Sequence, residues 1–156
     1  MAIAITLKQY LDGRGVPYEL RHHDYASSSQ RTAEAAHVPG RQLAKPVIFR
    51  DTDGFVMAVI PADRQVDVNR LRDQLHRPVY LAHEAGFSAL FKDCALGAVP
   101  PVGQAYGMPV VWDESLEGCG DVFFEAGDHT ELVRMSGRAF GKLMSEAPHG
   151  SISRVR

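Results

Sequence analysis

The chain has 156 residues, 45% hydrophobic and 23% charged, with a formal net charge of -2. This is the size and balance of one ordinary globular domain with its own core, which excludes a disordered or collagen-like chain. The slight acidity argues against a protein that grips long nucleic acid, DNA included, by neutralising phosphates.

The N-terminal stretch MAIAITLKQYLDG has no basic start followed by a long apolar run and a cleavage site, so no secretory leader is expected. Thr6 is placed to cap a short helix that carries Leu7, Tyr10 and Leu11 on one face and is stopped by Gly13 and Gly15. Residues 18–21 alternate as a strand does. A loop over 22–29 follows, in which Ser27, Ser28 or Ser29 can cap an Ala-rich helix over 30–37. The clearest hairpin comes next: an apolar run over 43–50, the turn Asp51-Thr52-Asp53-Gly54, and a second apolar run over 55–60. Asp67 can cap a helix with Val68, Leu71 and Leu75 on one side. A short strand over 79–81 leads into a helix ending near Phe91, and the Gly- and Pro-rich stretch over 93–107 reads as a shaped loop. Strands are expected at 110–112, 122–125 and 132–135, with Gly127-Asp128 turning between the last two, and a final helix at 137–144. Residues 146–156 read as a loose tail. Hairpins interrupted by helices point to a single α+β domain over 1–156, with a mixed, largely antiparallel sheet flanked by helices. No run is long enough for a membrane span.

Three places carry candidate chemistry. Lys45 stands between Ala44 and Pro46 at the head of a strand. It is either a solvated strand-end lysine, the usual state, or a cation at a cleft mouth that holds a phosphate or stabilises an oxyanion. Gly97-Ala98-Val99-Pro100-Pro101 combines a glycine, which lets backbone approach a ligand, with two stiffening prolines. Such a loop presents N–H and C=O groups at small entropic cost, or is simply a rigid connection. His129, just after a tight turn, can donate a hydrogen bond or shuttle a proton, or sit idle on the surface. His22-His23-Asp24 is not read as a ligand set, because neighbours in an extended segment point to opposite faces. Cys94 and Cys119 form no CxxC pair or disulfide framework, so a reduced, cytoplasmic setting is expected. Zinc spacing, a GxSxG elbow and nucleotide glycine motifs are all missing, so neither a metal nor a cofactor is expected. The serine run reads as a cap rather than a nucleophile.

Four segments, in this order, carry a resemblance. They are Thr32-Ala33-Glu34-Ala35-Ala36 with Gln42-Leu43-Ala44-Lys45; Ala58-Val59-Ile60-Pro61-Ala62-Asp63; the GxxxP loop at 97–101; and Ala126-Gly127-Asp128-His129. Together they resemble the YbaK/EbsC family, which includes the editing insertion of bacterial prolyl-tRNA synthetases. The resemblance runs from about residue 11 to residue 144. It implies a free-standing, trans-editing deacylase that hydrolyses the ester between a small wrong amino acid and the terminal ribose of tRNA. Alanine or cysteine on proline tRNA are the family's usual substrates. It implies Lys45 as the key catalytic residue, at the tRNA terminus, and Gly97, Ala98 and Pro101 as the lining of the aminoacyl pocket. Ser28 and His129 are further candidate substrate contacts. The implied partners are the acceptor end of mischarged tRNA and an aminoacyl-tRNA synthetase. An activated ester needs mainly a positioned water and oxyanion stabilisation, and the neighbouring ribose hydroxyl is thought to help in this family. A small pocket would exclude proline. One departure is Pro46, where relatives often carry a small hydroxyl residue; proline removes a backbone donor there. The alternative is a non-catalytic aminoacyl-tRNA- or synthetase-binding module of the same fold, against which the intact Lys45 and GxxxP loop count.

Overall fold

A computed structural model describes residues 3–24 and 29–156. The first helix, α1 (Ile5–Gly13), buries Leu7 and Leu11. Thr6 is not its cap. Ala4 holds that position without a side-chain hydrogen bond, and the Thr6 N–H donates instead to Asp93 Oδ2 at 2.8 Å. A carboxylate from a distant segment thus satisfies a first-turn donor that a local cap would have taken. Strand β1 (Glu19–His22) and helix α2 (Ser29–Ala36) follow. Of the three candidate caps for α2, Ser27 and Ser28 lie outside the described residues.

The expected hairpin is β2 (Ala44–Arg50) and β3 (Phe55–Pro61). Its turn is locked by Asp51 Oδ1, which accepts from the N–H groups of Asp53 and Gly54 at 2.8 and 2.9 Å. β4 (Arg64–Val66) leads to α3 (Val68–Leu75), where the Asp67 side chain accepts from the Arg70 N–H as an N-cap does. Then come β5 (Tyr80–Leu81) and α4 (Glu84–Phe87), the latter running into a 3-10 turn at Ser88–Leu90. The rest of the chain supplies β6 (Val110–Asp113), β7 (Asp121–Glu125), β8 (Glu131–Ser136), α5 (Gly137–Leu143), β9 (His149–Gly150) and β10 (Ser153–Val155).

These form an α+β domain with a mixed sheet. Five strands run in the order β5-β2-β3-β6-β9, antiparallel from β5 to β3 and parallel from β3 to β9. Three run β1-β8-β7, all antiparallel, and β10 pairs with β4. The five-stranded sheet is covered on both faces. Met57 and Val59 of β3 pack with α1, α5 and Trp112, while Val56, Ala58 and Ile60 pack with Leu71, Val79, Val111 and Ile152. Burial on both sides explains why β3 is apolar throughout rather than alternating. No helix among the described residues is long and apolar enough to cross a membrane.

The segment 146–156, expected to be loose, is held. β9 pairs with β6 and β10 with β4, and Ile152 between them is fully buried. Its N–H donates to Asp113 Oδ1 at 3.0 Å, and Arg64 Nε donates to Ser153 Oγ at 2.6 Å. One apolar residue among polar neighbours gave too little pattern to predict this anchoring. Ile152→Ala is expected to cost about 2–5 kcal/mol through the cavity it leaves. A urea denaturation midpoint close to the wild-type value would show that the segment contributes little.

Candidate functional site

The two main sheets meet at one parallel bridge, Leu43 to Phe123. Both side chains are buried in a small cluster with Ala33, Val38, Ala62 and Leu132. Side chains two residues further along a strand leave on the same face. Lys45 and Glu125 therefore both project from the seam toward the side covered by α2. Across the hairpin Lys45 pairs with Ile60 and is half-buried. Burial pushes its pKa down to about 8, helped by the nearby charge of Arg156 and opposed by Asp63.

Asp63 and Arg156 are also walls of a cleft of about 650 Å³, with Glu34 and His37 of the α2 end and the turn at Pro39 and Gly40. Gly40 fits because it has no side chain: a Cβ there would lie 3.0 Å from that of Asp63. The Gly40 carbonyl accepts from the Ala62 N–H at 3.0 Å, tying the turn to the end of β3. Lys45 thus feels an acid and a guanidinium that both belong to the cleft wall. This is an environment for holding an anion or a developing oxyanion.

The structure brings Gly97 and His129 together. Gly97 has φ 78°, and a Cβ on it would lie 3.2 Å from His129 Cε1. The Gly97 N–H donates to Glu84 Oε2 at 2.8 Å. His129 has φ 69° and is buried, and its Nε2 bonds to the Leu96 carbonyl. Gly97 is exposed, while Ala98 and Pro101 are buried behind it. None of Lys45, Gly97 and His129 is among the residues walling the Asp63–Arg156 cleft. Ser28 lies outside the described residues.

Sequence reasoning missed Glu125, which is buried with a carboxyl pushed up to about 7, first by desolvation and then by the charge of Asp128. A carboxylate inside the apolar run Val122-Phe123-Phe124-Glu125-Ala126 was the available signal, because Glu is rarely buried without a reason. His22 and His23 point apart as expected: His22 is exposed and His23 buried. His23 then joins Glu125 inside the fold.

The family described as aminoacyl-tRNA editing domain matches residues 23–143. A proline–tRNA ligase of Thermosipho africanus (strain TCF52B) is 39% identical over 46 residues, which is 30% of this chain and 8% of that protein. Another proline–tRNA ligase, of Pseudothermotoga lettingae, is 30% identical over 88 residues, 56% of this chain and 15% of that one. The chain thus spans a small part of these curated relatives. Among solved structures, a hypothetical protein superposes with a TM-score of 0.84 at 22% identity, covering 96% of this chain and 99% of its own. A proposed trans-editing enzyme for prolyl tRNA synthetase superposes with a TM-score of 0.82 at 21% identity, covering 97% and 96%. At such identities the likeness speaks for the fold alone. With the match over residues 23–143, the chain belongs to the aminoacyl-tRNA editing domain family.

Proposed function

We propose that this protein is a trans-acting aminoacyl-tRNA deacylase, which removes a small noncognate amino acid from tRNA, with proline tRNA the first candidate. The observation that carries this is the half-buried Lys45 at the sheet seam, close enough to Asp63 and Arg156 on the cleft wall to feel both charges. Water adds to the ester carbonyl carbon, the bond to the ribose oxygen breaks, and that oxygen leaves with a proton as a hydroxyl. The Lys45 ammonium stabilises the oxyanion or fixes the terminal phosphate. The 97–101 loop shapes the aminoacyl pocket, with the His129 ring packed against Gly97. Selection works by exclusion: the pocket takes small side chains and leaves proline out. The RNA partner is the acceptor end, with tRNA identity supplied there or by a synthetase, in the cytoplasm.

The test is a deacylation panel. Purified protein in catalytic amounts meets proline tRNA charged with alanine, cysteine, serine, threonine, 2-aminobutyrate or proline. Multiple turnover on one or more small residues, sparing proline, is the expected result. Tight binding to the charged tRNA without turnover would instead establish a binding module of the same fold. Loss of ester from free aminoacyl esters as fast as from tRNA would remove tRNA from the proposal.

A further inference from the structure

Arg14, Arg21, Arg70, Arg77 and Arg134 each pair with a carboxylate. On the ribbon of β4 and β10 the pattern changes. Two arginines there are spent on holding β10 in place. Arg64 donates to the Ser153 hydroxyl and carbonyl, and Arg70 to the Ser151 hydroxyl and the Ser153 carbonyl. Two others, Arg154 and Arg156, are exposed and have no carboxylate partner among the described residues. Arg154 lies opposite Gln65, whose amide oxygen, turned toward the guanidinium, accepts from Nε at 2.8 Å and Nη2 at 2.9 Å. That fixes the fork and leaves its Nη1 group uncommitted. Val155 lies opposite Arg64. Continued by one residue, this register sets Arg156 beside Asp63, and both wall the cleft. Arg156 Nε donates to the Arg64 carbonyl at 3.4 Å. Positions two apart on extended backbone share a face, roughly 7 Å apart along it. One cation thus stands at the cleft and the next a step further out along β10.

We propose that Arg156 and Arg154 form a phosphate track running from the cleft out along β10, which holds the backbone of the RNA 3′ strand just before its terminal nucleotide. This rests on the reading of the protein as one that acts on tRNA. The charge of Arg156 already disfavours the Lys45 ammonium in the free protein, and Asp63 offsets only part of that without pairing with either. A phosphate between the two cations turns their repulsion into two attractions. Arginine suits this task because its planar fork grips phosphate oxygens in pairs. Cations strung along a strand, rather than gathered in one pocket, fit a polyanion better than a single small anion. A contact with a few phosphates also agrees with a chain whose net charge is -2. The pairing of β10 with β4 presents both arginines on ordered backbone, so little entropy is lost on binding.

The test is binding of the full chain to a fluorescent RNA hairpin that copies the acceptor stem of proline tRNA with its single-stranded 3′ end. Anisotropy is read across a salt series, and the slope of log K against log salt counts the phosphates held. Arg154→Gln and Arg156→Gln are each expected to flatten the slope by about 0.7, and the double variant by about 1.4, the values for single-strand contacts. Replacing both with lysine should restore most of the slope, since an ammonium still neutralises a phosphate. Arg138→Gln removes an exposed charge from α5, which packs on the opposite face of the five-stranded sheet from Ile152. It should leave the slope unchanged. A double variant with the wild-type slope, or an Arg138→Gln that flattens it equally, would overturn the track while leaving the deacylase reading intact. Wild-type protein that fails to bind the hairpin even at low salt would overturn both.

Discussion

Alanine in place of Lys45 is expected to lower kcat/KM for noncognate deacylation by about 10²–10³-fold, the size of losing one well-placed oxyanion donor. The fold itself should be untouched. Lys45 is half-buried beside Arg156, and its pKa is pushed down to about 8 by burial first. A folded value below the unfolded one means that the native state disfavours the ammonium. The stability tied to the neutral amine is present above the unfolded value and lost as pH falls through about 8. At neutral pH the variant therefore melts at or above the wild-type Tm, which separates lost chemistry from lost folding. Lys45→Arg keeps a charge but replaces a compact ammonium with a planar fork, and is expected not to restore activity. Single-turnover deacylation beside a thermal melt checks all three statements. Activity retained in Lys45→Ala would remove this residue from the mechanism.

The largest loss of stability is expected from Phe140→Ala. Phe140 is fully buried on α5, edge-on to Trp112 at 5.9 Å between ring centroids and tilted against Phe124 at 6.4 Å. Its removal leaves a cavity between α5 and two different sheets, since Trp112 belongs to β6 and Phe124 to β7. The cost is about 3–5 kcal/mol, a large part of the roughly 5–15 kcal/mol that holds an ordinary domain together. Urea denaturation should show the midpoint falling sharply with an unchanged m-value. Phe140→Leu should recover most of the loss, because it refills much of the volume.

Much of the architecture was legible where the signal is local. The Asp51-Thr52-Asp53-Gly54 turn and the Asp67 cap are short-range hydrogen-bond devices, and both stand as read. The β7–β8 hairpin likewise follows from its apolar runs and the turn at Gly127. What escaped depends on distant partners. Thr6 looks like a cap until Asp93 arrives from across the fold to take its N–H. The parallel pairing of β3 with β6 and of β6 with β9 has no sequence signature, because no single turn joins those strands. The tail is held by distant partners, among them Asp113, 39 residues before the Ile152 whose N–H it accepts. The site divides in the same way. Lys45, Gly97 and His129 were singled out from strand-end, loop and turn chemistry and then by resemblance, whereas His23 and Glu125 come together only when β1 and the β7–β8 turn converge.

The position of Pro46 bears on how the molecule behaves in a crowd of its own copies. Between the bridge at Leu43 and the pairing with β5 at Phe49, no described strand lies along the outer side of β2. A strand side without a partner strand is a template on which a second chain can lay down a strand. Pro46 sits in the middle of it with no N–H to donate, and Lys45 beside it adds a charge. Both features disfavour strand addition along this stretch. Pro46 thus leaves this side of β2 one donor short of what a pairing strand would need.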